Sequence, residues 1–303
     1  MPGEAMFIKT HLRSDYYHYL QAVEGRRILD EVDHLNLRNY TRGIAGEKVF
    51  YNLLMPCGGI KLWDLSIRTP ALSQYDFLVI YGRTLFHFEI KNFSGHYRIL
   101  NNQFVSEHDH VHHDVLSQLN RAHYHLQKIL IKNGFDFKVV SKVVFINADF
   151  RLRGSIEQKD IIMRNGIKEI SGYFDPEYVP DSTEKKLGER LLSIHQSKNI
   201  FERIYYYDFN RMAKGMRCPN CRKVGIKDQL KRKKLQCECG HLLDKAETLK
   251  KSIEEMMILK RAGVSSREVV EWTGLHERVV RRCLVEHFNA DGQGKARTFT
   301  IRS

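Results

Sequence analysis

The sequence predicts an α/β protein: a mixed sheet flanked by helices, followed by a small cysteine-rich ribbon and a helical module. Three observations lead there. Two β-rich runs, residues 76–81 and 85–91, meet at Gly82-Arg83 and are followed by a helical stretch and a further strand pattern. Four of the six cysteines fall within the 22 residues 218–239. Residues 252–288 carry helical periodicity interrupted at Gly263 and Gly274.

Taken in order, residues 11–38 alternate polar and apolar at helical spacing, and 1–37 reads as an N-terminal helical segment. In GIAGEKVFYNLL, from Gly43 to Leu54, the residues Ile44, Phe50, Leu53 and Leu54 line one helical face, with Glu47 near the start. The hairpin follows. Val115, Leu119, Ala122, Leu126 and Ile129 then place a helix over 114–131, and KVVSKVVFI reads as a buried strand over 138–146. A helix around 182–195 closes a first domain spanning 38–210. Beyond it, composition shifts to Lys, Arg, Cys and Gly, marking a ribbon at 211–245, a helical domain at 248–290 and a loose tail at 291–303.

The chain has 303 residues, 42% hydrophobic and 28% charged, which is ordinary globular composition and argues against disorder. No apolar run reaches the roughly 18 residues that span a bilayer, and the N-terminus lacks an apolar signal core, so a cytoplasmic location without membrane attachment is expected. Clustered cysteines in that setting point to metal, not disulfides. The net charge of +13 points to a polyanionic partner, through counterion release from phosphates. Charge alone does not choose among DNA, RNA and anionic lipid.

In a strand, residues two apart share a face, so Glu89 and Lys91 project together. If Gly82-Arg83 is a two-residue turn, Tyr81 pairs with Thr84 and Asp76 falls opposite Glu89; a loop one residue longer breaks that register. Opposed carboxylates destabilise a sheet unless a cation lies between them, and Mg²⁺ (or Mn²⁺) suits two carboxylates completed by water and phosphate. A metal at Asp76 and Glu89 would activate water for phosphodiester hydrolysis, with Lys91 orienting it or stabilising charge. The alternative for Glu-x-Lys is an exposed strand pair. Histidines at 108–113 read as a solvated turn.

The ordered segments GIAGEKVF, QYDFLVIYGRTLFHFEIKNFSGHY and VLSQLNRAHYHL resemble the nuclease-related domain, NERD, a branch of the restriction-endonuclease-like fold. The resemblance covers roughly residues 38–150. It implies Mg²⁺-type nuclease chemistry, and it maps Glu47, Asp76, Glu89, Lys91 and Gln118 to active-site positions.

Cys218-Pro-Asn-Cys221 and Cys237-Glu-Cys239-Gly-His241, separated by fifteen residues, have the spacing of a structural zinc ribbon. The second knuckle leaves Cys239 or His241 as the fourth ligand, with four cysteines favoured. Basic residues crowd the ribbon, among them Lys231, Arg232, Lys233 and Lys234, and suit phosphate contacts or a solvated face. The pair SREVVEW and HERVVRRCLVEHF, joined at Gly274, resembles a helix-turn-helix of recombinases and bacterial regulators. In that reading Arg278, Arg281 and Arg282 lie on the recognition helix; a helical bundle for protein contact is the alternative. Together these features predict a Mg²⁺-dependent DNA endonuclease with C-terminal DNA-binding modules. The rival is a non-catalytic DNA-binding regulator that retains a nuclease-like fold.

Overall fold

The computed structural model describes residues 6–68, 72–100, 103–108, 111–112, 115–153, 160–196, 204–226 and 233–302. The chain runs β1 (Met6–Lys9), α1 (Asp15–Val23), α2 (Glu31–Leu54), β2 (Ile60–Arg68), β3 (Leu72–Tyr81), β4 (Thr84–Lys91), β5 (Gly95–Leu100), β6 (Gln103–Ser106), β7 (Val111–His112) and α3 (Val115–Lys132). It continues through β8 (Lys138–Phe145), β9 (Phe150–Arg153), β10 (Ile161–Ile162), α4 (Ile167–Gly172) and α5 (Ser182–Ser193). The C-terminal part holds β11 (Met216–Arg217), β12 (Val224–Ile226), β13 (Lys234–Gln236), β14 (Leu242–Asp244), α6 (Lys245–Lys260), α7 (Ser266–Thr273), α8 (Glu277–His287), β15 (Phe288–Asp291) and β16 (Thr298–Ile301). Two compact units result: residues 1–12 with 38–200, and residues 13–37 with 201–303. The expected segment 1–37 is thus divided between them, and the boundary falls inside α2.

The first unit is built on a six-stranded mixed sheet in the order β1-β2-β3-β4-β8-β10, with a second sheet β7-β6-β5-β9. Helices cover both faces of the main sheet, which is why its strands read as nearly continuous apolar runs. Phe77, Val79 and Phe88 pack with Phe50 and Leu54 of α2, whereas Leu78, Ile80 and Leu85 pack with Leu126 and Ile129 of α3 and Leu187 of α5. The β3–β4 turn is the predicted two-residue one: Gly82 (φ 54°) and Arg83 (φ 60°) are both left-handed, as a type I′ turn requires, and Tyr81 pairs with Thr84. Helix α5 starts at a capping box of Asp181 and Glu184. Helix α2 begins at Glu31, twelve residues before the start predicted at Gly43, because no proline intervenes and acidic Glu31 and Asp33 suit its first turn.

In the second unit, α1 packs with the ribbon hairpins β11–β12 and β13–β14 and with α6, α7 and α8 around one core containing Leu20, Met216, Leu249, Ile253, Trp272 and Leu284. Helix α6 stops before the expected Gly263: Arg261 takes the left-handed conformation (φ 57°) and its N–H bonds Met257 O at 2.7 Å. Helix α7 opens on a Ser265–Glu268 capping box and closes at left-handed Gly274. The tail expected to be loose folds back: β15 and β16 form an antiparallel hairpin, and buried Phe299 exchanges two backbone hydrogen bonds with Val264. Alternating Thr298-Phe299-Thr300-Ile301 has the pattern of a half-buried strand, which its polar surroundings disguise.

Candidate active site and cysteine cluster

Strand β4 lies between β3 and β8 in the middle of the main sheet and carries His87, Glu89 and Lys91 on the face covered by α3. Backbone pairing between β3 and β4 is regular from Tyr81–Thr84 to Phe77–Phe88, which sets Asp76 next to Glu89 as the turn length predicts. There the ladder opens. The Asp76 carboxylate takes over, with Oδ2 accepting from the Ile90 N–H at 2.7 Å. Lys91 Nζ donates to Glu89 Oε1 at 2.8 Å and to Gln118 Oε1 at 3.3 Å, and Gln118 Nε2 donates to the same Glu89 oxygen at 2.9 Å. A carboxylate, an ammonium and an amide thus close a triangle, with Gln118 brought by α3 to the exposed rim.

Glu47 arrives on α2, where Gly46 permits the approach: a Cβ there would stand 2.8 Å from Asn92 Cβ and 2.9 Å from Ile146 Cγ2, distances no packed carbon tolerates. Asn92, directly after Lys91, ties this contact by donating to Arg42 O at 2.7 Å. Glu47 Oε2 accepts from Trp63 Nε1 at 2.6 Å.

The electrostatics separate these acids. Burial, then the charges of Glu89 and Glu47, push Asp76 well above the usual carboxylate range. Burial also raises Glu47, against the Trp63 hydrogen bond. Burial acts the same way on Glu89, but the His87 ring and the Lys91 ammonium outweigh it and hold Glu89 down to about 2. His87 Nε2 stands 3.8 Å from Glu89 Oε2. Burial lowers Lys91, and the surrounding carboxylates more than restore it. The pair Asp76 and Glu89, one reluctant to ionise and one already ionised, is a hard-oxygen donor set that suits a divalent cation. Among the described residues, no three carboxylate or histidine groups converge; the four cysteines alone form such a group.

Residues 42–146 match the family model of the nuclease-related domain. The sequence resemblance and the geometry therefore meet on the same segment, and all five predicted positions lie within the nuclease-related domain. Comparison with curated proteins and with solved structures gives no match.

Strand periodicity also carries a signal for His87, which precedes Glu89 by two and must share its face. Trp63, which anchors Glu47, comes from a strand, β2, whose Trp-Asp interruption hides it. Of the histidine run 108–113, Asp109, His110 and His113 fall outside the described residues, His112 lies in β7, and His108 is exposed.

In the second unit, Cys218, Cys221, Cys237 and Cys239 place their sulfurs within 4.8 Å of one another. Sulfurs 3.8 Å apart (Cys218–Cys239) and 3.5 Å apart (Cys221–Cys237) bracket the roughly 3.8 Å edge of a tetrahedron with Zn–S bonds near 2.3 Å. Cys239, not His241, is the fourth member. The His241 backbone N–H lowers the Cys239 thiol to about 6, toward the thiolate that a metal requires. Left-handed Arg222 (φ 62°) and Gly240 (φ 83°) shape the two knuckles. A cavity of about 460 Å³ in this unit, lined by Arg13, His18, His241 and Lys251 among others, holds none of the candidate catalytic side chains.

Of the basic residues predicted to meet phosphate, Arg278, Arg281 and Arg282 are exposed on α8, and Lys233 and Lys234 are exposed at β13. Arg281 leans on Glu277 at 3.1 Å. Lys231 and Arg232 lie outside the described residues. Arg217, also basic and in the ribbon, is buried and committed to the core through Glu255 at 2.7 Å. No helix among the described residues is long and apolar enough to cross a membrane.

Proposed function

We propose that this chain is a cytoplasmic, metal-dependent nuclease that hydrolyses phosphodiester bonds of DNA. The observation that carries the reading is the Glu89–Lys91–Gln118 triangle with Asp76 beside it, inside the nuclease-related domain. Asp76 and Glu89 would hold Mg²⁺ (or Mn²⁺), which when bound polarises the phosphoryl group and favours loss of a proton from water. Lys91, kept cationic by its carboxylate neighbours, stabilises charge developing on the phosphoryl oxygens. Gln118 fixes the Glu89 oxygen that Lys91 uses, so the ammonium stays aimed at the substrate. Glu47, tied to Trp63, keeps the α2 side of the site acidic.

In this reading the four cysteines hold one structural zinc ion. The α7–turn–α8 segment works as a helix-turn-helix, with Arg278, Arg281 and Arg282 entering the major groove, and Lys233 and Lys234 contact phosphates. Incubating the purified chain with plasmid DNA and Mg²⁺, with EDTA as control, tests the proposal: cleavage that EDTA abolishes is expected.

A further inference from the structure

Beside the candidate centre, three residues from separate parts of the first unit hydrogen-bond in series. His11, just after β1, places Nδ1 2.9 Å from Asp64 Oδ2 and Nε2 2.9 Å from the Tyr40 hydroxyl. An ionised carboxylate only accepts, so the proton between His11 and Asp64 belongs to Nδ1, and Nε2 is left to exchange a proton with Tyr40. His11 and Asp64 expose about 15% and 17% of their side chains, whereas Tyr40 is half-exposed on α2. Tyr40 and His11 both precede the span matched by the nuclease-related domain.

Three features connect this series to the Glu47 side of the centre. Asp64 interrupts β2 with φ at +64°, a left-handed conformation that residues with a side chain seldom adopt within a strand. The flanking pairs Trp63–Phe77 and Leu65–Tyr75 set Asp64 across from Asp76, so a regular strand would align a third acid with Asp76 and Glu89. The turned backbone instead delivers Asp64 to His11, with Gln74 donating to its other oxygen at 2.8 Å and Lys9 Nζ 3.9 Å away. Trp63 then joins the two groups: its ring centroid is 5.5 Å from that of His11, and its N–H holds Glu47. Finally, Tyr40 precedes Glu47 by seven residues, two turns along the same face of α2.

We propose that Tyr40 is a further catalytic residue of this centre, the group that protonates the leaving oxygen, with His11 and Asp64 as the positioning residues that resupply its proton. The proposal rests on the phosphodiester hydrolysis put forward above. Water adds to phosphorus and releases one proton to solvent, while the bond from phosphorus to the leaving oxygen breaks. That oxygen takes the Tyr40 hydroxyl proton. In the imidazolium form that this step uses, His11 passes the Nε2 proton to the Tyr40 oxygen while Nδ1–H stays hydrogen-bonded to Asp64, and it regains a proton from solvent. Atoms and charge balance without a further reactant.

The test compares two DNA substrates: one ordinary, and one whose leaving oxygen at the cleaved linkage is replaced by sulfur, which departs as a thiolate without needing a proton. Loss of a general acid costs about 10²–10⁴-fold. Tyr40→Phe should slow cleavage of ordinary DNA by that order and cleave the sulfur-bridged DNA at close to the wild-type rate, while Lys91→Ala fails on both. Equal slowing on both substrates, or none on either, overturns the role of Tyr40 and leaves the nuclease reading intact. Wild-type protein that cleaves neither substrate overturns both. A second readout needs no activity: ¹⁵N NMR should show His11 with a proton on Nδ1 in wild type and in Tyr40→Phe, and a shift of that proton to Nε2 in Asp64→Asn. A wild-type His11 protonated on Nε2 alone contradicts the relay.

Discussion

Removing the Glu255 carboxylate should unfold the second unit at far lower denaturant concentration. Glu255 on α6 receives Arg26 Nη2 at 2.5 Å and Arg217 Nε at 2.7 Å, and the two guanidinium side chains are 0% and 7% exposed. Their other donors reach main-chain oxygens of Ala213, Gly215, Glu24 and Ala22, and Arg26 also stacks 4.7 Å from the Trp272 ring. Glu255→Ala leaves two buried cations without their counter-charge, a loss on the order of 3–5 kcal/mol. With a urea dependence of about 1.5 kcal/mol per molar, the midpoint should fall by about 2–3 M. The chain has two tryptophans, so a Trp63→Phe background makes Trp272 the sole reporter on this unit. Glu255→Gln, which keeps one acceptor, should fall between wild type and Glu255→Ala. A midpoint shift below about 0.5 M would refute the argument, since it would mean that the cations are served by carbonyls or solvent alone.

Asp76→Asn should stabilise the metal-free protein and abolish its response to Mg²⁺. Burial raises the Asp76 carboxyl, so wild type and variant match below the unfolded value of about 3.9, and wild type falls behind as pH rises above it; thermal melts at pH 3.5 and 7, with and without Mg²⁺, check this. Protein purified without chelator should carry one zinc per chain, lost in Cys239→Ser and kept in His241→Ala, as metal analysis will show. Lys233→Ala and Lys234→Ala should each flatten the log–log salt dependence of DNA binding by about 0.9, whereas Arg281→Ala and Arg282→Ala should alter sequence preference, read by binding across a salt series and a set of duplexes.

Local chemistry made part of this molecule legible. The turn Gly82-Arg83 sets the register that puts Asp76 beside Glu89, and the spacing of the cysteine pairs marks the cluster, because both depend on neighbours in the chain. Helix α3 follows from its apolar stripe. Long-range placement was not legible. Nothing near Arg26 or Arg217 announces that Glu255 will bury them, and Arg217, one of the basic residues of the ribbon, is a core group. The hairpin β15–β16 has no local signature because Phe299 finds its partner, Val264, 35 residues earlier. The series Tyr40–His11–Asp64 depends on a left-handed strand residue that no local pattern foretells.

The central claim is that Glu89 and Lys91 act on a phosphodiester, and single-turnover cleavage of plasmid DNA in Mg²⁺ by wild type, Glu89→Ala and Lys91→Ala tests it most directly, with DNA binding and thermal melts of the same three proteins alongside. Removing one group that stabilises charge in the transition state costs about 10²–10³-fold. The account predicts at least that loss of cleavage in both variants, with DNA affinity and the second unit's melting unchanged. Two variants that bind and cleave as wild type does, or a wild type that binds DNA tightly and leaves it intact in Mg²⁺ and in Mn²⁺, would contradict it and favour a DNA-binding regulator on a nuclease-like fold.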